Sequence, residues 1–356
     1  MHTEMRPFLK ELVTLPDLPS HGQPVRDRIR REWEPLVNEI RISRLGNLHG
    51  VKYGSGPSPR CQVLVVTHLD APRMLVSEIA EGFLRLQGTG GLDPRVLVGL
   101  PVVVHGHRDL LGTIVAGPDL GLSPARKGTP PRANLLVDVG LPSAQVTRYV
   151  RSGDMISLAL APVDLGEDRL ACQSLSSRAC IVALTVCLVE LQERHHLWDI
   201  AAVVTTHEGE RYGAAPTSAY VLQPDVAIAL GAADDQVPAT SEGQGLTLGN
   251  GPANGWGPSI HPGIHREIQR AAEREGLQLE DEIMPLDSRT VVERLQTVGD
   301  GIPTGAMNIP LRYLGTSVEV VALSDIRRTG RVLASLVSGL KPDFREALSW
   351  DCADDS

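Results

Sequence analysis

Residues 170–214 read LACQSLSSRACIVALTVCLVELQERHHLWDIAAVVTTHEGERYGA, a polar turn, an apolar helical run, a short loop and an apolar strand with a charged tip. Between Arg178 and Glu193 the apolar residues fall all round the helix, which marks it as buried rather than amphipathic. Asp199–Thr206 is a β-branched run of strand length that ends in Thr206-His207-Glu208. Two polar clusters, Ser174–Arg178 at a helix start and His207-Glu208 at a strand end, are thereby brought to adjacent element ends. In α/β sheets that edge is where chemistry sits.

The same alternation extends outward. Thr3–Leu15 and Gln23–Val37 read as amphipathic helices, with Ser20 available as a cap. Gly50–Tyr53 and Cys61–Thr67 read as strands, the second apolar enough to be central and ending on His68-Leu69-Asp70. From about Leu75 to Leu165 short apolar runs are broken every ten or so residues by Gly and Pro, the spacing of a small β-barrel or sandwich inserted into an α/β domain. The α/β pattern resumes with strand Asp225–Leu230, helices around Pro262–Glu275 and Arg289–Thr297, strand Val318–Leu323 and a final helix capped by Ser324. Asp234–Pro258 reads as a Gly-rich loop. The expected organisation is a discontinuous α/β domain over 1–74 and 166–345, a β insertion over 75–165 and a tail over 346–356.

A net charge of −9 with no basic run disfavours nucleic acid as a partner, since phosphate binding needs clustered Lys and Arg. No stretch of eighteen uncharged apolar residues predicts a membrane span, and the N-terminus lacks the pattern of a secretory signal. Five unclustered cysteines, mostly within apolar elements, predict reduced core thiols. A cytoplasmic protein is the expectation.

Each polar cluster has a structural reading beside a chemical one. His68 and Asp70 suit a satisfied strand end, or a metal ligand oriented by a neighbouring acid. His207-Glu208 carries the same ambiguity, since strand neighbours point to opposite faces unless the strand end twists. Ser176-Ser177-Arg178 suits a helix N-cap. His195-His196 suits helix capping, and His105-Gly106-His107 suits a β surface.

Several longer stretches resemble the tetrahedral di-metal aminopeptidases, a metallopeptidase family that includes glutamyl and deblocking aminopeptidases. They are PSHGQPVRDRI, LGNLHGVKYG, VVTHLDAPRMLV, GGLDPRVLVGLPVVVHG, LLVDVGLPS, SLSSRA, THEGERYGA, LDSRTVVERLQTVGDGIPTGAMNIPLRY and the terminal strand with Glu319. The resemblance implies a mixed-sheet, zinc-exopeptidase-like α/β domain with the inserted β domain at the substrate passage. It also implies assembly into homo-oligomers, from dimer to hollow dodecamer. Carried over residue by residue, it keeps His68, Asp70, Arg178 and Glu208. The bridging Asp position reads Ser176, its partner Asp reads Ser177, and the general-base Glu reads His207. A further Asp falls on Gly231 and a His on Gly315. Asp234 or Asp235 could stand in for the loss at Gly231; nothing near Gly315 does.

A catalytic zinc uses about three protein ligands, and this count leaves His68 and Glu208 as the residual ligand positions. Neither zinc nor cobalt is expected unless the site is rearranged. Three readings follow for a peptide-like or amino-acyl ligand. The first is a pseudo-enzyme or binding and scaffold subunit. The second is a metal-independent hydrolase or acyl transferase working through His207 with Ser176 or Ser177, in a pocket formed with His68, Asp70, Arg178, Glu208, Gly231 and Gly315. The third is a single-metal aminopeptidase. Rebuilding the family's site takes Ser176→Asp, His207→Glu, Gly231→Asp and Gly315→His together.

Overall fold

The computed structural model describes residues 4–16, 23–70, 74–88, 92, 94–116, 135–206, 213–235, 246–285 and 290–348. Two amphipathic helices, α1 (Met5–Thr14) and α2 (Gln23–Trp33), lead into a hairpin of β1 (Glu39–Ile42) and β2 (Leu48–Lys52), followed by the buried β3 (Gln62–His68). Helix α1 buries Phe8, Leu9, Leu12 and Val13, and α2 buries Val25, Ile29 and Trp33, the one-stripe spacing of helices that cover a sheet.

The chain then leaves for a closed six-stranded barrel, in the order β4 (Met74–Ala80), β5 (Phe83–Gly88), β8 (Leu135–Asp138), β7 (Asp109–Ala116), β6 (Pro101–His105) and β9 (Met155–Leu158). Closure removes the exposed edges that six short strands would otherwise present. Alternate residues such as Val102, Val104, Ile156 and Leu158 fill its interior. A short helix, α3 (Ser143–Tyr149), follows β8 and buries Val146. The expected β insertion is thus a barrel, and β10 (Val163–Leu165) already pairs with β11 (Arg169–Cys172) in the large sheet.

That sheet has eleven strands, with a path β1-β2-β12-β3-β13-β16-β17-β11-β10 and β14 and β15 branching from β16. Its middle is parallel: β12 (Asp199–Thr205), β3, β13 (Val226–Asp234) and β16 (Thr304–Arg312) run side by side, and β17 (Glu319–Ala322) is antiparallel to β16. Parallel strands covered on both faces are apolar along their whole length, as β12 is at every position. Helix α4 (Leu175–Glu190) packs on one face together with α1, α2, α6 (Pro262–Arg274) and α8 (Leu323–Gly339); α5 (Ala214–Leu222) and α7 (Val292–Leu295) cover the other. Leu184 of α4 is completely buried in this core, where truncation to alanine costs about 2–5 kcal/mol.

Four expectations change. Helix α4 starts at Leu175, three residues before the predicted Arg178, because Ser174 takes a left-handed conformation (φ 60°) that turns the chain into the helix. Strand β16, which the sequence pattern does not predict, is central and buried from Thr304 to Leu311. Helix α5 is likewise not predicted. The supposed loop Asp234–Pro258 contains β14 (Ala253–Trp256), which pairs with β16 and with β15 (Glu280–Ile283). Among the described residues no helix is long and apolar enough to cross a membrane.

Candidate functional site

The carboxyl ends of β3, β13 and β16 form one row. Along β3, Leu64 and Val66 pack toward α5 and α7, so by strand alternation His68 faces the same side. Gly231 follows Ala229 on β13 with the same alternation, and Asn308 follows Ala306 on β16; Ala229 and Ala306 both pack against Val292 of α7. Gly231 pairs directly with Asn308, and it lies two residues beyond the Ala229–Val66 pair, next to His68. His68, Gly231 and Asn308 therefore stand side by side on one face at the sheet edge.

Asn308 was not singled out by sequence. Its carboxamide is nearly buried and donates through Nδ2 to Glu282 of β15. A Cβ built on Gly231 would lie 2.6 Å from the Asn308 Oδ1, closer than side chains approach one another. Burial raises the Glu282 carboxyl above the ordinary range, and the nearby Asp234 raises it further against the Asn308 hydrogen bond. Asp234 is itself raised by burial. Asp235 is committed elsewhere: its two oxygens take the Arg312 Nε and the Leu248 N–H, and it is buried. Of the two acids offered as substitutes for Gly231, Asp235 is thus held in an internal ion pair.

The second half of the site is built on α4. Ser176 lies in its first turn, and its N–H donates to Oε2 of Glu319 at 2.8 Å. Oε1 of the same carboxyl accepts the Gly315 N–H at 3.0 Å. Glu319 is 3 % exposed, and burial raises its carboxyl even though these donors, with the Ser176 side chain, pull the other way. Gly315 has φ 74° and open space around it. The Cys180 thiol lies 3.1 Å from both the Ser176 and the Gly231 carbonyl oxygens, joining the two halves. Burial pushes that thiol up to about 12, so it stays protonated.

Ser177 and Arg178 point into the protein. The Ser177 hydroxyl donates to the Ser174 carbonyl and accepts from Arg178. The guanidinium of Arg178, 1 % exposed, donates to the carbonyls of Leu12 and Leu69 and so ties α1 to the segment after β3. These two sequence candidates are internal supports, and Ser176 alone of the triplet is half-buried at the site. His207 and Glu208 lie outside the described residues. Asn47, fully buried, brackets their segment: its Oδ1 accepts the Thr206 N–H at 3.0 Å and its Nδ2 donates to the Ala214 carbonyl at 3.1 Å and to Ser218 at 2.8 Å.

Two other features stand apart. Ser157, His105 and Asp109 form a hydrogen-bonded array, with Ser157 Oγ 2.8 Å from Nε2 and Asp109 Oδ1 3.0 Å from Nδ1. It lies on the outer face of the barrel with Asp109 68 % exposed, a cross-strand polar cluster rather than an enclosed relay. A groove of about 720 Å³ opens at the opposite, amino-terminal edge of the sheet beside Asp225, Asp300 and Arg345 and contains none of the candidate residues.

The family model for M42 glutamyl aminopeptidases matches residues 46–332, from the turn before β2 to the middle of α8. The chain belongs to the M42 aminopeptidase family. Among the relatives of this M42 chain, a lysyl aminopeptidase of Pyrococcus furiosus is 26 % identical over 345 residues, covering 95 % of this chain and 98 % of the relative. The fold matches a TET aminopeptidase from a marine sediment Thaumarchaeota archaeon with a TM-score of 0.89 at 22 % identity, over 97 % of this chain and 99 % of that one. It also matches the Pyrococcus horikoshii TET1 peptidase, described as assembling into a tetrahedron or a large octahedral shell, with a TM-score of 0.81 at 24 % identity, over 95 % and 100 % of the two chains.

Against the di-metal site that the M42 resemblance implies, the described donors fit poorly. Among the described residues no group of three or more His, Cys, Asp or Glu side chains is placed to hold a metal ion. The space beside Gly231 holds a carboxamide, Gly315 offers only its N–H, and Ser176 is bound through its main chain to a carboxyl that both segments share.

Proposed function

We propose that this M42 protein binds a peptide-like or amino-acyl ligand at the carboxyl edge of its sheet without the metal-pair hydrolysis of its family, as a binding subunit within a cytoplasmic homo-oligomer. The observation that carries this reading is the shared carboxyl of Glu319. It closes the Ser176 and Gly315 segments on each other through their main-chain N–H groups, at the two positions where a bridging Asp and a terminal His are missing. A hydrogen-bonded clasp of this kind keeps the shape of the pocket without supplying metal ligands. Self-assembly is proposed from the large shells described for the TET1 relative.

Family membership itself favours a second reading, an aminopeptidase with a single rearranged metal on His68, His207, Glu208 and Asp234 or Asp235, since curated relatives bear aminopeptidase names. Thermal-shift titration with leucine and glutamate amides separates the two, alongside hydrolysis of the corresponding anilides. The binding reading predicts stabilisation by the amides that is the same with and without a chelator, and no anilide hydrolysis. Chelator-sensitive hydrolysis establishes the aminopeptidase. Hydrolysis that resists chelators and is lost in His207→Ala would establish the metal-independent relay through Ser176.

A further inference from the structure

We infer that Asn308 is the residue that holds this site shut to a metal ion, because its carboxamide fills the volume of the missing side chain at Gly231 and Glu282 fixes it there. The inference rests on the binding-subunit reading and says which group enforces it.

Three observations combine. Gly231 and Asn308 are directly paired on neighbouring parallel strands, so their side chains project in the same direction. The Asn308 Oδ1 stands 2.6 Å from the position of a Gly231 Cβ, and its Cγ stands 3.7 Å away. An ordinary flexible neighbour would swing aside, but Asn308 is 6 % exposed and donates its Nδ2 to Glu282, so moving the amide breaks a part-buried hydrogen bond to a carboxyl. The orientation matters as much as the volume. With Nδ2 committed to Glu282, the oxygen faces Gly231, so a carboxylate introduced there would meet an acceptor rather than a donor, with the carboxyls of Glu282 and Asp234 close by. The substitutions at Ser176, His207, Gly231 and Gly315 suggested by sequence alone therefore omit a necessary fifth change, at Asn308.

A double-mutant cycle on the full-length protein tests the volume. In the interior of a strand, Gly→Ala normally stabilises. Here Gly231→Ala should lower Tm by about 3 °C in the wild-type background. In the Asn308→Ala background the same change should leave Tm unchanged or raise it. A Tm that responds equally in both backgrounds overturns the inference. The metal half is read by titrating Co²⁺ and following its visible absorption and binding heat, without any activity assay. In the Ser176→Asp/His207→Glu/Gly231→Asp/Gly315→His background, adding Asn308→Ala should tighten Co²⁺ binding at least about tenfold, the scale on which neighbouring groups tune metal affinity. No gain on removing the carboxamide overturns the inference. Stoichiometric metal in the wild-type protein would overturn the binding-subunit reading and the inference with it, whereas an equal Tm response in both backgrounds overturns the inference alone.

Discussion

The Oε2 atom of Glu319 accepts the main-chain N–H of Ser176 at 2.8 Å, 143 residues away in sequence, while its Oε1 takes the N–H of Gly315. One buried carboxyl thus links the start of α4 to the loop after β16. Glu319→Ala removes the acceptor of two part-buried N–H groups and should destabilise the protein by about 1–3 kcal/mol in urea denaturation, at roughly 0.5–1.5 kcal/mol for each hydrogen bond lost. Glu319→Gln keeps one good acceptor and should cost about half as much by the same reasoning. Equal stabilities for the three proteins would show that the clasp contributes nothing.

Gly315 is the position onto which the resemblance carries a histidine, and its φ of 74° makes any side chain there strained even though the surrounding space is open. Gly315→Ala and Gly315→His should each cost about 1 kcal/mol, because the penalty comes from the backbone rather than from crowding. A larger cost for histidine than for alanine, measured by chemical denaturation, would point to a steric cause instead.

Asn47 should govern the order of the chain around Thr206. Asn47→Ala removes the acceptor of the Thr206 N–H and the donor to the Ala214 carbonyl, with an expected loss of about 2–3 kcal/mol for buried partners left unpaired. Hydrogen exchange should show faster exchange of the Thr206 amide, with no comparable change at Val203 in the middle of β12. Uniform acceleration across β12 would mean that only global stability had changed.

His49 supplies a pH dependence. Burial, and secondarily Arg41, lowers its imidazole from 6.5 to about 4. The native protein therefore holds fewer protons than the unfolded chain between pH 4 and 6.5, so stability rises with pH across that window and is lost as pH falls toward 4. In His49→Gln this part of the slope should flatten in urea denaturation. An unchanged slope would mean that His49 ionises in the folded protein as it does in the unfolded one.

What the sequence made legible follows from local patterning. The all-round apolar run of α4 and the β-branched β12 placed the core, and the regular Gly and Pro breaks revealed the inserted β domain. Strand β16 escaped because Gly305, Asn308 and Pro310 all disfavour a strand. The structure accommodates Pro310 between Asn308, the last residue paired with β14, and Leu311, the first paired with β17. The start of α4 was misread because nothing in its composition signals a left-handed Ser174.

At the candidate site, His68, Ser176, Gly231 and Gly315 are the positions the resemblance points to. Asn308 and Glu282 are not, since their relation to Gly231 exists only through the registers of β13 with β16 and β14 with β15. Ser177 and Arg178 were placed in the pocket because sequence adjacency hides the rotation of the helix, which turns them inward.

The most direct test of the central claim is the metal content of the purified full-length protein, measured by elemental analysis after exposure to excess zinc, cobalt or manganese and removal of free ions. A catalytic metal needs about three protein ligands, and the clasped, carboxamide-filled edge predicts substoichiometric metal for all three ions. One or two equivalents per chain, retained through gel filtration and lost with chelator, would contradict it.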